Sequence, residues 1–152
     1  MKASSPSAPT QTLFRVLNEI GIISQLAGNA FERVMPDGMT LAQFTVLNHF
    51  VRLGGPKRPS ELARAFQVTK ATMTSTLHRM EGKGLVAIVS DDSDGRGRLV
   101  TITDAGRAMH AACIGRLAPV LEDLRAAIGD APFAAVLAPL AQIRETLDRL
   151  RS

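Results

Sequence analysis

Apolar positions along this chain follow a helical period at both ends and an extended pattern only in the middle. Between residues 13 and 34, Leu13, Val16, Leu17, Ile20, Ile23, Ala27, Ala30, Phe31 and Val34 fall on one stripe. Phe14, Ile22 and Leu26 widen it. This predicts a long first helix, ended by Pro36-Asp37-Gly38. The stripe is broader than packing on one side needs. Burial within one domain is the simpler explanation, but burial against a second subunit accounts better for the width. Thr40-Leu41-Ala42-Gln43 then fits a capping box, threonine with glutamine three residues on. It predicts a helix to about Arg52, with Leu41, Phe44, Leu47, Phe50 and Val51 inward and Gly54-Gly55-Pro56 as its stop.

The stretch 59–103 organises the rest. Pro59 suits a first helical position, and Leu62, Ala63 and Phe66 mark the buried side of a short helix over 59–66. Gln67 and Val68 turn the chain, and Thr69 offers a hydroxyl cap to a second helix reaching about Glu81. Met73, Leu77 and Met80 fall on its core face. Ala71, Thr72, Ser75, His78 and Arg79 fall on the other, which is small, hydrogen-bonding or cationic and never acidic. Such a face can lie in the major groove of DNA and read base edges. Gly82 and Gly84 end the helix, and the runs 85–89 and 99–103 are rich in β-branched residues. Between them SDDSDGRGR supplies turn residues, so the pair reads as a β-hairpin. Its tip carries Arg96 and Arg98, and a guanidinium on a thin ribbon can enter the narrow minor groove.

Thr103 can cap a further helix to about residue 128, with Ala105, Ala108, Met109, Ala112, Leu117, Val120, Leu121 and Leu124 apolar and Pro119 expected to kink or split it. Gly129-Asp130 breaks the chain. Phe133, Val136, Leu137, Leu140, Ile143, Leu147 and Leu150 form a last, nearly heptad stripe, interrupted by Pro139, as in a helix lying along another helix. The expected fold is mainly α with a small β-hairpin wing. A winged helix-turn-helix over 39–103 is flanked by helices over 12–38 and 104–152, behind a disordered tail over 1–11.

Composition sharpens this picture. A chain of 152 residues is one ordinary domain, and with no Trp or Tyr its core must come from aliphatic residues, Met and six Phe. The net charge is +4 and the pI about 10.0. Residues 57–98 hold eight Lys or Arg against five Asp or Glu, and the remainder ten against nine, so the surplus sits on the reading head. That is where an electrostatic footprint on nucleic acid belongs, although ordinary solubilising surface charge is the bland alternative. Cys113 is a lone cysteine, which excludes an intrachain disulfide and makes a reducing compartment the default. No run is long and apolar enough to span a bilayer, and MKASSPSAPTQT has no hydrophobic signal core, so a cytoplasmic protein is expected.

The segments SELARAF, VTKATMTSTLHRMEGKGLV and DDSDGRGRLVTITDAG resemble the winged helix of the multiple-antibiotic-resistance regulator (MarR) family of bacterial repressors. The resemblance implies a ligand-responsive repressor that binds a palindromic operator as a homodimer. It implies that the terminal helices of two subunits interlock. It also implies that Asp94 orients Arg96 into the minor groove, Asp94-Gly95-Arg96 matching the family's Asp-x-Arg element. Many members release DNA when a small aromatic effector binds between the dimerisation helices and the reading head. Two features depart from the pattern: Ser75 stands where many members carry a basic residue, and the arginine that many carry near Ile88, entering the wing, is missing. The expected DNA-binding set is Lys70, Thr72, Ser75, His78, Arg79, Asp94, Arg96 and Arg98, with Lys70 toward a backbone phosphate.

Other chemistries find little support. His49, His78 and His110 stand far apart and none is at metal-ligand spacing from a Cys or carboxylate. Gly54-Gly55-Pro56 lacks the Lys-Ser/Thr of a phosphate loop. Asp91, Asp92 and Asp94 read as a wing tip rather than a calcium loop, His49 as a packing residue, and Cys113 as a buried structural thiol rather than a redox sensor. No enzyme activity, cofactor or metal is expected. The competing function is a winged-helix module that docks proteins without specific DNA binding.

Overall fold

Capping residues set where the helices begin. The computed structural model describes residues 7–36, 38–93 and 97–150, and its elements run α1 Ala8–Val34, α2 Leu41–Leu53, α3 Pro59–Ala65, α4 Lys70–Gly82, β1 Val86–Ser90, β2 Arg98–Ile102, α5 Asp104–Ile128 and α6 Ala131–Leu150. The Thr40 hydroxyl accepts from the Gln43 N–H at 3.2 Å and the Gln43 carbonyl from the Thr40 N–H at 3.4 Å, which closes the expected box on α2. Thr69 accepts from the Thr72 N–H at 3.1 Å, and Thr103 from the Gly106 N–H at 3.0 Å, so the expected caps of α4 and α5 form. α1 starts earlier than the apolar stripe predicts, and residues 8–11, expected in the tail, are helical. Pro9 explains this: its fixed φ suits a first turn, where its missing donor is not needed.

The chain divides into two units, 1–116 and 117–152. In the first, Val46, Leu47 and Phe50 of α2, Leu62 and Ala63 of α3, Met73, Leu77 and Met80 of α4, and Leu85, Val86 and Val100 of the hairpin form the core. Val51, expected inward, is 40% exposed, and Val46 takes the inward position. The hairpin is antiparallel, with Val86 opposite Ile102 and Ser90 opposite Arg98. Gly106 brings α5 against the start of β1: a β-carbon there would lie 2.1 Å from the Leu85 carbonyl oxygen. Glycine is required by that approach rather than by its φ. No residue of α1 is buried, and Leu13, Phe14, Ile23 and Leu26 are more than half exposed.

In the second unit, the end of α5 turns into α6 at Gly129, whose φ of 86° is in the left-handed region. Phe133, Val136, Leu137, Leu140, Leu147 and Leu150 are all exposed. Pro119 does not split its helix, contrary to one of the expected outcomes, and α6 likewise runs through Pro139. A proline deletes one backbone hydrogen bond, and the turns on either side carry the helix past it.

Candidate nucleic-acid interface

The Met73–Leu77–Met80 stripe anchors α4 in the core and leaves the opposite face to solvent. Lys70, Ala71, Thr72, Thr74, Ser75, His78 and Arg79 are exposed on it. Thr69 does more than cap. Its hydroxyl donates to the Thr72 oxygen at 2.9 Å while accepting from the Thr72 N–H. The Thr72 hydroxyl therefore has its proton left for an outside acceptor, such as a phosphate oxygen, a purine N7 or a thymine O4. The Thr76 hydroxyl donates to the Thr72 carbonyl at 3.1 Å and is turned toward its own helix.

Arg98 is exposed at the start of β2. A cavity of about 300 Å³ lies between α4 and the hairpin, lined by Pro59, Thr74, Leu77, His78, Ile88 and Arg98. Two expected site residues, His78 and Arg98, thus come together across one notch with an apolar floor. Asp94 and Arg96, the expected acid–arginine pair of the wing, lie outside the described residues.

Three links that position these groups join residues distant in sequence. Lys57 and Val100 exchange backbone hydrogen bonds, N–H to O at 3.0 Å and 2.9 Å, which adds a one-residue strand to the hairpin. Next to it, the Arg58 guanidinium donates to the Asp91 carboxylate at 2.7 Å. The Ser93 hydroxyl and N–H donate to the same carboxylate at 2.6 Å and 3.0 Å. These Ser93 hydrogen bonds, the hydroxyl's first, hold Asp91 below the usual carboxylate range against the opposing effect of burial, and Arg58 adds to the lowering. Behind α4, the Lys83 ammonium donates to the Gln43 side-chain carbonyl at 2.9 Å and to the Gly38 carbonyl. Asp91-x-Ser93 is readable as a local side-chain turn, but Arg58 lies 33 residues away from Asp91 and no local signal pairs them.

The other two histidines and the cysteine are structural. His49 packs edge-on to Phe50 and against Phe66, and burial, then the nearby charges of Lys57 and Arg52, push its pKa down. His110 stacks on Phe44 with ring centroids 5.5 Å apart and bonds Asn48 at 3.1 Å, tying α5 to α2. Cys113 is fully buried, which raises its thiol pKa and leaves little nucleophilic thiolate. No group of three metal-ligating side chains occurs among the described residues.

A capped helix-turn-helix, a second helix whose exposed side carries no acid over residues 70–79 and a two-stranded hairpin bearing arginine beside it define a winged-helix protein. Residues 37–97 match the sequence profile of the MarR family. The chain is 38% identical over 76 residues to the transcriptional activatory protein BadR of Rhodopseudomonas palustris, covering 49% of this chain and 43% of that protein. It is 36% identical over 74 residues to an HTH-type transcriptional repressor of Mycobacterium tuberculosis, covering 49% of this chain and 52% of the other. The chain thus spans about half or less of the length of these curated relatives. A solved structure of a mutant MarR from E. coli complexed with operator DNA superposes with a TM-score of 0.70 at 26% identity, over 90% of this chain and 97% of that one. Over residues 37–97 in sequence, and in the fold as a whole, the chain is similar to the MarR family of winged-helix regulators.

Proposed function

We propose that this protein is a transcriptional regulator that binds a palindromic duplex operator as a homodimer and acts as a ligand-responsive repressor. One observation carries the reading: over residues 70–79 the exposed side of α4 holds Lys70, Thr72, Ser75, His78 and Arg79 and no acid, Glu81 following only in its last turn, with Arg98 on the adjacent hairpin. Residues 39–103 are the reading head in this account. α4 lies in the major groove, and Arg96, oriented by Asp94, enters the minor groove. Ser75 is a short hydrogen-bonding group, so discrimination rests on close hydrogen bonds and groove shape rather than on a long cation.

Residues 12–38 and 104–152 supply the dimer interface. The motive is the apolar surface left open on α1 and α6, including Phe14 at 69% and Leu137 at 70% exposure. Patches of that kind mark association sites. A two-fold protein reads two half-sites, which is how a small head gains specificity. A small aromatic effector fits the family pattern at the junction of α1, α2 and the start of α5, and phenols and aromatic carboxylates are the compounds to screen. Selection from a random duplex library tests the reading. An inverted repeat with half-sites about one helical turn apart supports it, and a library that yields no enriched sequence sinks it.

A further inference from the structure

We propose that Asp91 is a positioning residue for DNA binding, holding the hairpin at a fixed separation and angle from α4 through Arg58. This rests on the DNA-binding reading above. The Asp91 side chain is 6% exposed, although its neighbours Ser90, Asp92 and Ser93 at this end of the hairpin are exposed. Among the described residues, the groups that its carboxylate meets are donors: Arg58 at 2.7 Å, the Ser93 hydroxyl at 2.6 Å and the Ser93 N–H at 3.0 Å. Its own N–H donates to the Gly97 carbonyl at 2.9 Å, which continues the ladder one step past Ser90 and Arg98.

A second anchor between the hairpin and the α3 side is the Lys57–Val100 bridge. Val100 pairs with Ile88, three residues before Asp91. At about 3.3 Å per residue the two anchors stand roughly 10 Å apart along the ribbon. One anchor leaves a ribbon free to pivot. Two anchors on consecutive residues, Lys57 and Arg58, fix its direction. Arg58 is also the N-cap residue of α3, and its N–H donates to Glu61 at 2.6 Å, so the outer anchor is itself tied to the helix-turn-helix. The acid at 91 thus trades a small repulsion of DNA for a fixed geometry between the two reading elements.

Electrostatics alone and positioning give opposite signs, and this makes the test sharp. Asp91→Asn, Arg58→Gln and the double variant of the full chain are measured on a selected operator and on random duplex at one salt concentration. Hydroxyl-radical footprints of the minor groove and thermal melts accompany them. The expected result is a tenfold or greater loss on the operator for Asp91→Asn, with random-duplex affinity unchanged or raised and minor-groove protection abolished. The double variant should bind no worse than Arg58→Gln. Unchanged or tighter operator binding by Asp91→Asn overturns the positioning role alone. So does an equal loss on both duplexes with a lowered melting point, which marks a merely structural residue. A wild-type chain that binds no duplex overturns the DNA-binding reading itself, and this inference with it.

Discussion

Replacing Gly106 by alanine should destabilise the protein, although alanine is the better helix former. The added β-carbon falls 2.1 Å from the Leu85 carbonyl oxygen and 2.9 Å from the Ile102 side chain, while ordinary contact begins at 3.4 Å. The nearer obstacle is backbone and cannot rotate away. Parting the two elements strains the Thr103 N–H to Leu85 carbonyl bond of 3.2 Å and the Thr103 hydroxyl to Gly84 carbonyl bond of 2.6 Å. Overpacking costs about 1–3 kcal/mol and each weakened hydrogen bond up to about 1 kcal/mol. The gain in helix propensity returns at most about 1 kcal/mol. The net is a loss of about 2 kcal/mol at mid-range and of about 4 kcal/mol at most, or a fall in Tm on the order of 5–15 °C for a chain of this size. Calorimetry at matched protomer concentration measures it, since association shifts apparent stability. Gly82 is also helical, but a methyl there would meet nothing within 4 Å, so alanine at that position is the control and should be neutral or mildly stabilising. A Gly106→Ala variant as stable as wild type would refute the reasoning.

Thr69→Ala removes the α4 cap and frees the Thr72 hydroxyl, so it should cost about 1 kcal/mol in urea unfolding, and an unchanged midpoint would show that the cap is idle. Arg96→Ala should weaken operator binding by about 1–3 kcal/mol, more than any single change on α4, when measured by anisotropy at fixed salt. Asp94→Ala should weaken it too if the acid orients that arginine; tighter binding would show simple repulsion instead. His49 has a pKa below its usual 6.5, so the unfolded chain takes up the proton first. Its share of stability is complete above about pH 6.5 and is lost as pH falls from there toward the folded pKa, and His49→Gln should flatten that part of the stability profile.

Helix order, caps and the core face of α4 were legible because each is written in local spacing. Thr40 with Gln43 and Thr69 ahead of Met73-x-x-x-Leu77 specify an end and a face within a few residues. The exposed face of α4 was legible for the same reason: a stripe that is apolar on one side defines what the other side presents, whereas Arg98, expected at the hairpin tip, is the first residue of β2 opposite Ser90. The start of α1 was not, because Pro9 in a polar, small-residue stretch reads equally as tail or first turn. The braces were hidden for a different reason. Arg58–Asp91, Lys57–Val100 and Lys83–Gln43 join residues 33 to 43 positions apart, and nothing local in either partner encodes the other. Gly106 stood inside the family-like segment, but its tight approach to Leu85 exists only once α5 has docked on β1.

The central claim is that α4 and the hairpin form a cationic DNA face, and the salt dependence of duplex binding tests it most directly. Each phosphate contact made by Lys or Arg contributes about −0.9 to the slope of log affinity against log salt. With Lys70, Arg79 and Arg98 exposed on each of two protomers, a slope on the order of −5 is expected, and Arg98→Ala should make it shallower by about 1 for each phosphate no longer neutralised. A slope near zero, or one that Arg98→Ala leaves unchanged, would contradict the account.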